Sequence, residues 1–220
     1  MATRSLSAAL LLSFAATAVE PQAPSPPEPG APGHWSLATG ETVSPGRDAI
    51  GFGFGWPGVR FDYLHGLSDR SDVGFQLDLL YGFENTDTTK FGFAFGVPLR
   101  LVAYRKDKLL LGLHIDPGVR VYTDSNSTEF FIRFPVGGII GIQATPEVRI
   151  AAAFDLAMAL QIPNTTYFEL APQFGFGVEY LVDKNLQIGL NARFGPEFTT
   201  ISGSGSRFAF TTEVLIGYRL

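Results

Sequence analysis

The last fourteen residues alternate. Phe208, Phe210, Thr212, Val214, Ile216, Tyr218 and Leu220 fall on one parity, and Arg207, Ala209, Thr211, Glu213, Leu215, Gly217 and Arg219 on the other. Successive side chains of an extended strand point to opposite sides, so these are two surfaces, one apolar and one mixed. The division recurs back along the chain. Leu186, Ile188, Leu190, Phe194 and Phe198 oppose Gln187, Asn191, Arg193 and Glu197, and Phe168, Leu170, Phe174, Phe176, Val178 and Tyr180 oppose Glu169, Gln173 and Glu179. Ile150, Phe154, Leu156 and Leu160 oppose Arg149 and Asp155, and Phe130, Ile132, Phe134 and Ile140 oppose Glu129, Arg133 and Gly137. Leu109, Leu111, Leu113 and Ile115 oppose Gly112, His114, Asp116 and Arg120, while Phe91, Phe93, Phe95 and Leu99 oppose Gly92, Gly96 and Arg100. Val73, Phe75, Leu77 and Leu79 oppose Gly74, Gln76 and Asp78. Two short runs come first: Ile50, Phe52 and Phe54 against three glycines, then Val59, Phe61 and Tyr63 against Arg60 and Asp62, with the phase flipping across Pro57-Gly58. A flip there indicates a tight turn or a bulge.

The pattern predicts an all-β, antiparallel, up-and-down transmembrane β-barrel of about ten strands, with eight as the alternative count. If Pro57-Gly58 is only a bulge, residues 35–43 supply a further strand and keep the number even. Turns at 66–72, 105–108, 145–147 and 182–185 share one end; those at 84–90, 123–129, 163–166 and 202–206 share the other. Three features favour a membrane barrel over a soluble sheet. The mixed face is rich in glycine, whereas all four lysines (Lys90, Lys106, Lys108 and Lys184) fall in turns, the opposite of a solvated sheet face. That face also balances its charges. Arg60, Asp62, Asp78, Arg100, His114, Asp116, Arg120, Arg133, Arg149, Asp155, Glu169, Glu179, Arg193, Glu197, Glu213 and Arg219 are read as one network filling the bore, because confined charges require partners. Finally, aromatics of the apolar face collect toward strand ends, as girdles at two membrane interfaces do.

Composition narrows the rest. Among 220 residues there are 25 Gly, 20 Phe and no Cys, so disulfides, thiolate metal sites and a lipidated N-terminal Cys are excluded. A formal charge of −5 argues against nucleic acid as a partner. Residues 1–18 read as a signal peptide: Arg4, a short apolar run from Leu6 to Ala15, and Ala16-Thr17-Ala18 before the cut. Residues 19–46 read as a Pro-rich periplasmic linker, carrying Pro21, Pro24, Pro26, Pro27, Pro29 and Pro32. Within it, 34–46 reads either as a weak strand or as a segment tucked under the barrel. Residues 47–220 form the barrel domain.

From Asp48 to Leu220 the chain resembles the small outer-membrane β-barrel proteins of Gram-negative bacteria, the OmpA-like, OmpX-like and porin-like class. The resemblance rests on the repeated pattern and on the ending Val214-Leu215-Ile216-Gly217-Tyr218-Arg219-Leu220. Members usually end in an aromatic residue that the assembly machinery reads; here the last residue is Leu. The resemblance implies outer-membrane localisation, with membrane lipid and the barrel-assembly machinery as partners.

Candidate chemistry is sparse. His114 and Asp116 share one face, but no nucleophile accompanies them, and a structural network is the preferred reading. His34 and His65 are isolated. Gly51-Phe52-Gly53-Phe54-Gly55 opens no helix and so is not a phosphate loop. The oxygen-rich segments Glu84–Asp87 and Asp124–Ser127 lack EF-hand spacing, and the sequons at Asn126 and Asn164 have no role in a bacterial protein. The expected function is therefore a non-enzymatic envelope protein with no cofactor, structural or weakly permeable, with a narrow charge-filled lumen. The alternatives are a barrel enzyme acting on lipid or peptide, and a soluble lipocalin-like lipid carrier.

Overall fold

The computed structural model describes residues 35–82, 90–123, 128–162, 166–200 and 206–220. The expected signal peptide, the Pro-rich stretch to His34, Glu84–Asp87, Asp124–Ser127 and Asn164 lie outside them. Among the described residues the chain is all-β and closes into a ten-stranded antiparallel barrel. Its first three strands are β1 (Asp48–Trp56), β2 (Gly58–Ser68) and β3 (Ser71–Leu80). The next three each consist of two collinear pieces: β4 (Phe91–Gly96 and Leu99–Lys106), β5 (Leu109–Ile115 and Gly118–Thr123) and β6 (Thr128–Arg133 and Val136–Gln143). The last four are β7 (Val148–Ile162), β8 (Tyr167–Leu181), β9 (Leu186–Thr199) and β10 (Arg207–Arg219). Neighbours in sequence pair in turn, and β10 returns to β1 through a register running from Ala49↔Arg219 to Trp56↔Thr212. Pro57 makes the turn between β1 and β2, so the phase flip there separates two strands.

The breaks have one cause. Pro98, Pro117 and Pro135 have no N–H, so a ladder rung is lost wherever one of them stands. Register survives each break: β4 meets β5 as Gly96↔Gly118 above and Leu99↔Ile115 below. The residue before each proline still donates across the gap, Val97 N to Pro117 O, Asp116 N to Pro135 O and Phe134 N to Met158 O, all at 2.9 Å.

The parity of each strand sorts the side chains as expected. Leu79, Phe91 and Phe174 are about 60% exposed on the outside, whereas Asp72, Asp155 and Glu179 are under 5% exposed. Exposed Phe, Leu, Ile and Val residues come from every strand, so the apolar surface is a belt round the whole wall. A soluble monomer seldom exposes a patch beyond several hundred Å². The inside also contains apolar side chains. Leu64, Leu80, Val102, Leu110, Tyr122, Phe131, Ile139 and Leu215 occupy the inward parity and are buried.

Residues 35–46 form no strand. Residues 35–43 pack inside the barrel at the end where the short turns lie, with Trp35, Ser36, Thr39, Glu41, Thr42 and Val43 buried, while Pro45 and Gly46 are exposed. Of the two readings open for this segment, the structure has the one in which it tucks under the barrel.

Candidate functional site

The interior is stacked in three levels. At the turn end the barrel holds residues 35–43 through charge-assisted hydrogen bonds. Glu179 on β8 accepts from Leu37 N and Ala38 N, each at 2.8 Å, and from Thr39 Oγ1 at 2.5 Å. Asp72 on β3 accepts from Val43 N at 2.9 Å and from the Arg100 guanidinium, which also donates to Ser36 O. Glu41 lies between Arg105 and Arg149, the latter at 3.5 Å. A carboxylate that meets several N–H donors at once makes strong bonds.

Glycine makes the room. A Cβ at Gly51 would stand 2.8 Å from Leu37, and one at Gly217 would meet Leu37 and Trp35 at 2.8 Å. At Gly141 it would be 2.6 Å from Thr39 O, and at Gly112 3.2 Å from Gly40 O. Much of the inward-facing glycine is thus the mould of this segment.

Above it lies a chamber of about 150 Å³, with Arg60, Asp62, Arg100, His114, Arg133 and Arg193 among its walls. It has room for several waters. Two charge chains cross it. Arg60 bonds Asp78 and Glu213, each at 3.0 Å, with Arg133 at 3.9 Å from Asp78 on the other side. His114 has one ring nitrogen 2.7 Å from Asp116 and the other 2.7 Å from Asp155, which also bonds Arg193. A ring carrying both N–H protons donates to both carboxylates. Removing one partner of such a buried set costs about 3–5 kcal/mol, because the other charge is left uncompensated.

Toward the loop end the interior carries a cluster of aromatic rings. Tyr122 and Phe131 are fully buried and meet edge to face at 6.2 Å, with Tyr167 against Phe131 at 6.3 Å and Leu80, Ala94 and Ala159 around them. Arg120 lies over the Phe131 ring at 4.6 Å and pairs with Glu169 at 3.0 Å.

The structure therefore brings together most of the residues expected in the interior, as separate groups at three heights. Arg60, Asp62, Arg133, His114, Asp116, Asp155 and Arg193 line the chamber, with Asp78 and Glu213 bonded to Arg60 beside it. Arg100, Arg149 and Glu179 hold the lower segment, and Arg120 with Glu169 supports the rings. Glu197 is buried. Arg219 lies at the barrel's end, donating to Lys184 O at 2.6 Å. His65 is also at an end, 2.7 Å from Asp48.

Sequence reasoning missed Glu41, which anchors the lower segment to Arg105 and Arg149, Asp72, which holds it from the wall, and the inward rings Tyr122 and Phe131. Parity was available for the rings, since Tyr122 shares the face of Arg120 and Phe131 that of Arg133. Fold and interior together define a closed antiparallel β-barrel. No protein-family description and no curated protein matches this chain.

Proposed function

We propose that this chain is an integral outer-membrane protein of the porin-like small-barrel class, with a structural, at most weakly permeable, role in the cell envelope. The observation that carries the reading is the double inversion of the wall: apolar side chains exposed all round it, and ionised ones buried within. Hydrocarbon is the solvent that stabilises such a surface. Residues 1–18 would direct export, and the alternating C-terminal strand would be read by the barrel-assembly machinery. Membrane lipid is the main partner.

No cofactor enters this reading, and we propose no catalysis. In its support, both nitrogens of His114 are taken by carboxylates, leaving none free to act as a base toward a substrate. The charged chamber also speaks against a soluble carrier of apolar lipid, which would need an apolar cavity.

Cell fractionation, followed by gel migration with and without boiling, tests the assignment. The protein should sediment with the outer membrane and run faster unboiled. Recovery in the soluble fraction without detergent would refute it. Refolded into a planar bilayer, it should give no large, steady conductance.

A further inference from the structure

The segment at the turn end is attached to the barrel unlike any other part of the described residues. It contributes no rung to the ladder, and the β1–β10 seam closes without it. It is held to the wall in two ways: by the three carboxylates Glu179, Asp72 and Glu41 with the arginines that face them, and by Trp35, Leu37 and Val43 packed on Ala49 and Leu64. It leaves the interior through one turn, where Arg47 N donates to Ser44 O at 3.0 Å and Gly46 N to Gly66 O at 2.8 Å. Gly46 takes a positive φ of 66° there. The seal at the loop end differs, because Tyr122, Phe131 and Tyr167 belong to β5, β6 and β8 and cannot leave without breaking strands.

We infer that residues 35–43 are a displaceable stopper, hinged at the Ser44–Gly46 turn and latched by Glu179, whose withdrawal opens the central chamber from the turn end alone. Withdrawal breaks no ladder bond. It also exposes Glu179, Asp72, Arg100 and Arg149 to water at an open mouth, where hydration replaces the lost partners; a charge deep in the wall has no such compensation. The chamber thereby becomes a dead-end vestibule for water and small solutes while the aromatic seal remains shut. The stopper takes its physiological meaning from the membrane assignment above, but its test does not depend on that assignment.

Amide hydrogen exchange on the refolded full-length protein in detergent micelles reads the stopper directly and needs no variant. The amides of Leu37, Ala38 and Val43 should exchange roughly 100-fold faster than ladder amides of β1 and β10, as a locally opening unit does. Glu179→Gln, which weakens the latch, should speed them further. A cross-link supplies the converse. A Cβ at Gly177 would lie 3.8 Å from Ala38 Cβ, the usual spacing across a disulfide. Oxidised Ala38→Cys/Gly177→Cys should slow these amides to the pace of the wall, and reduction should restore the fast rate. Stopper amides as slow as wall amides in the native protein, or unchanged by the cross-link, overturn the inference. Neither result bears on whether the barrel sits in a membrane, which fractionation decides separately.

Discussion

Single residues show how little slack the interior has. A Cβ at Gly137 would overlap both Asp155 Oδ1 and His114 Nε2, so any side chain there displaces one end of the His114–Asp155 bond. Gly137→Ala should destabilise the barrel by about 1–3 kcal/mol, the usual cost of overpacking a close-packed site. Urea titration of refolding into vesicles measures this; an unchanged midpoint would mean that the pair yields freely. In the exposed turn between β8 and β9, Asp183 Oδ1 accepts from Asn185 N at 2.7 Å and Leu186 N at 2.9 Å, and these N–H donors hold its carboxyl below the ordinary value of 3.8. A lowered folded value adds stability that is full above the unfolded value and fades as the pH falls through the folded one. An NMR titration of the Asp183 carboxyl should therefore have its midpoint below 3.8; a midpoint at or above that value would mean the turn's bonds are not made in solution. At this scale the sequence reveals face but not height. Parity places Arg60, Asp78 and Glu213 on one surface, yet only the strand register decides that Arg60 lies within reach of both acids. Asp72 was hidden because it stands where a turn was expected, and Glu41 because its segment has no period.

Strands were the most legible elements, because each is long enough for the alternation to repeat and each ends in turn-forming residues. All ten lie where the alternating runs stand, and Pro57 resolves the count in favour of ten. What alternation does not carry is a coil held by side chains. Leu37, Ala38 and Val43 bond their N–H groups to Glu179 and Asp72 on distant strands, a long-range arrangement that no local pattern signals. The glycine excess was read correctly as a demand for space, but the occupant was the chain's own N-terminal segment as well as the narrowness of the bore. The exposed parity of β5 supports a depth prediction. Leu113 stands near the middle of β5 and is 52% exposed, whereas Leu109 stands at its turn end. If that face meets hydrocarbon, Leu113→Arg should cost about 2–4 kcal/mol of insertion free energy and Leu109→Arg no more than about 1. Equal penalties in vesicle refolding would mean that no hydrophobic slab surrounds the strand.

At the scale of the whole molecule, the two closures are built from different materials and act in series. The lower is a coil segment held by carboxylates and by Trp35, Leu37 and Val43 packed on Ala49 and Leu64; the upper is a cluster of rings belonging to the wall, supported by the Arg120–Glu169 pair. Between them lies the chamber of about 150 Å³. Two seals in series behave as a logical product: each alone suffices to stop ions, and permeation needs both to fail. Deleting residues 35–43 should therefore leave planar-bilayer current at the level of the bare membrane, because the rings still close the loop end. Tyr122→Ala with Phe131→Ala should do the same, because the lower segment still fills the turn end. Combining the three changes should produce discrete current steps, cation- or anion-selective according to which of the facing charges is left unpaired at the narrowest point. Since large-to-small changes of buried rings cost about 3–5 kcal/mol each, unboiled gel migration must first show that every variant is folded. Steady current through either partial variant would show that one of the two seals does not close the bore. Silence from the folded combined variant would mean instead that the charge chains through Arg60 and His114 obstruct it without help from either end.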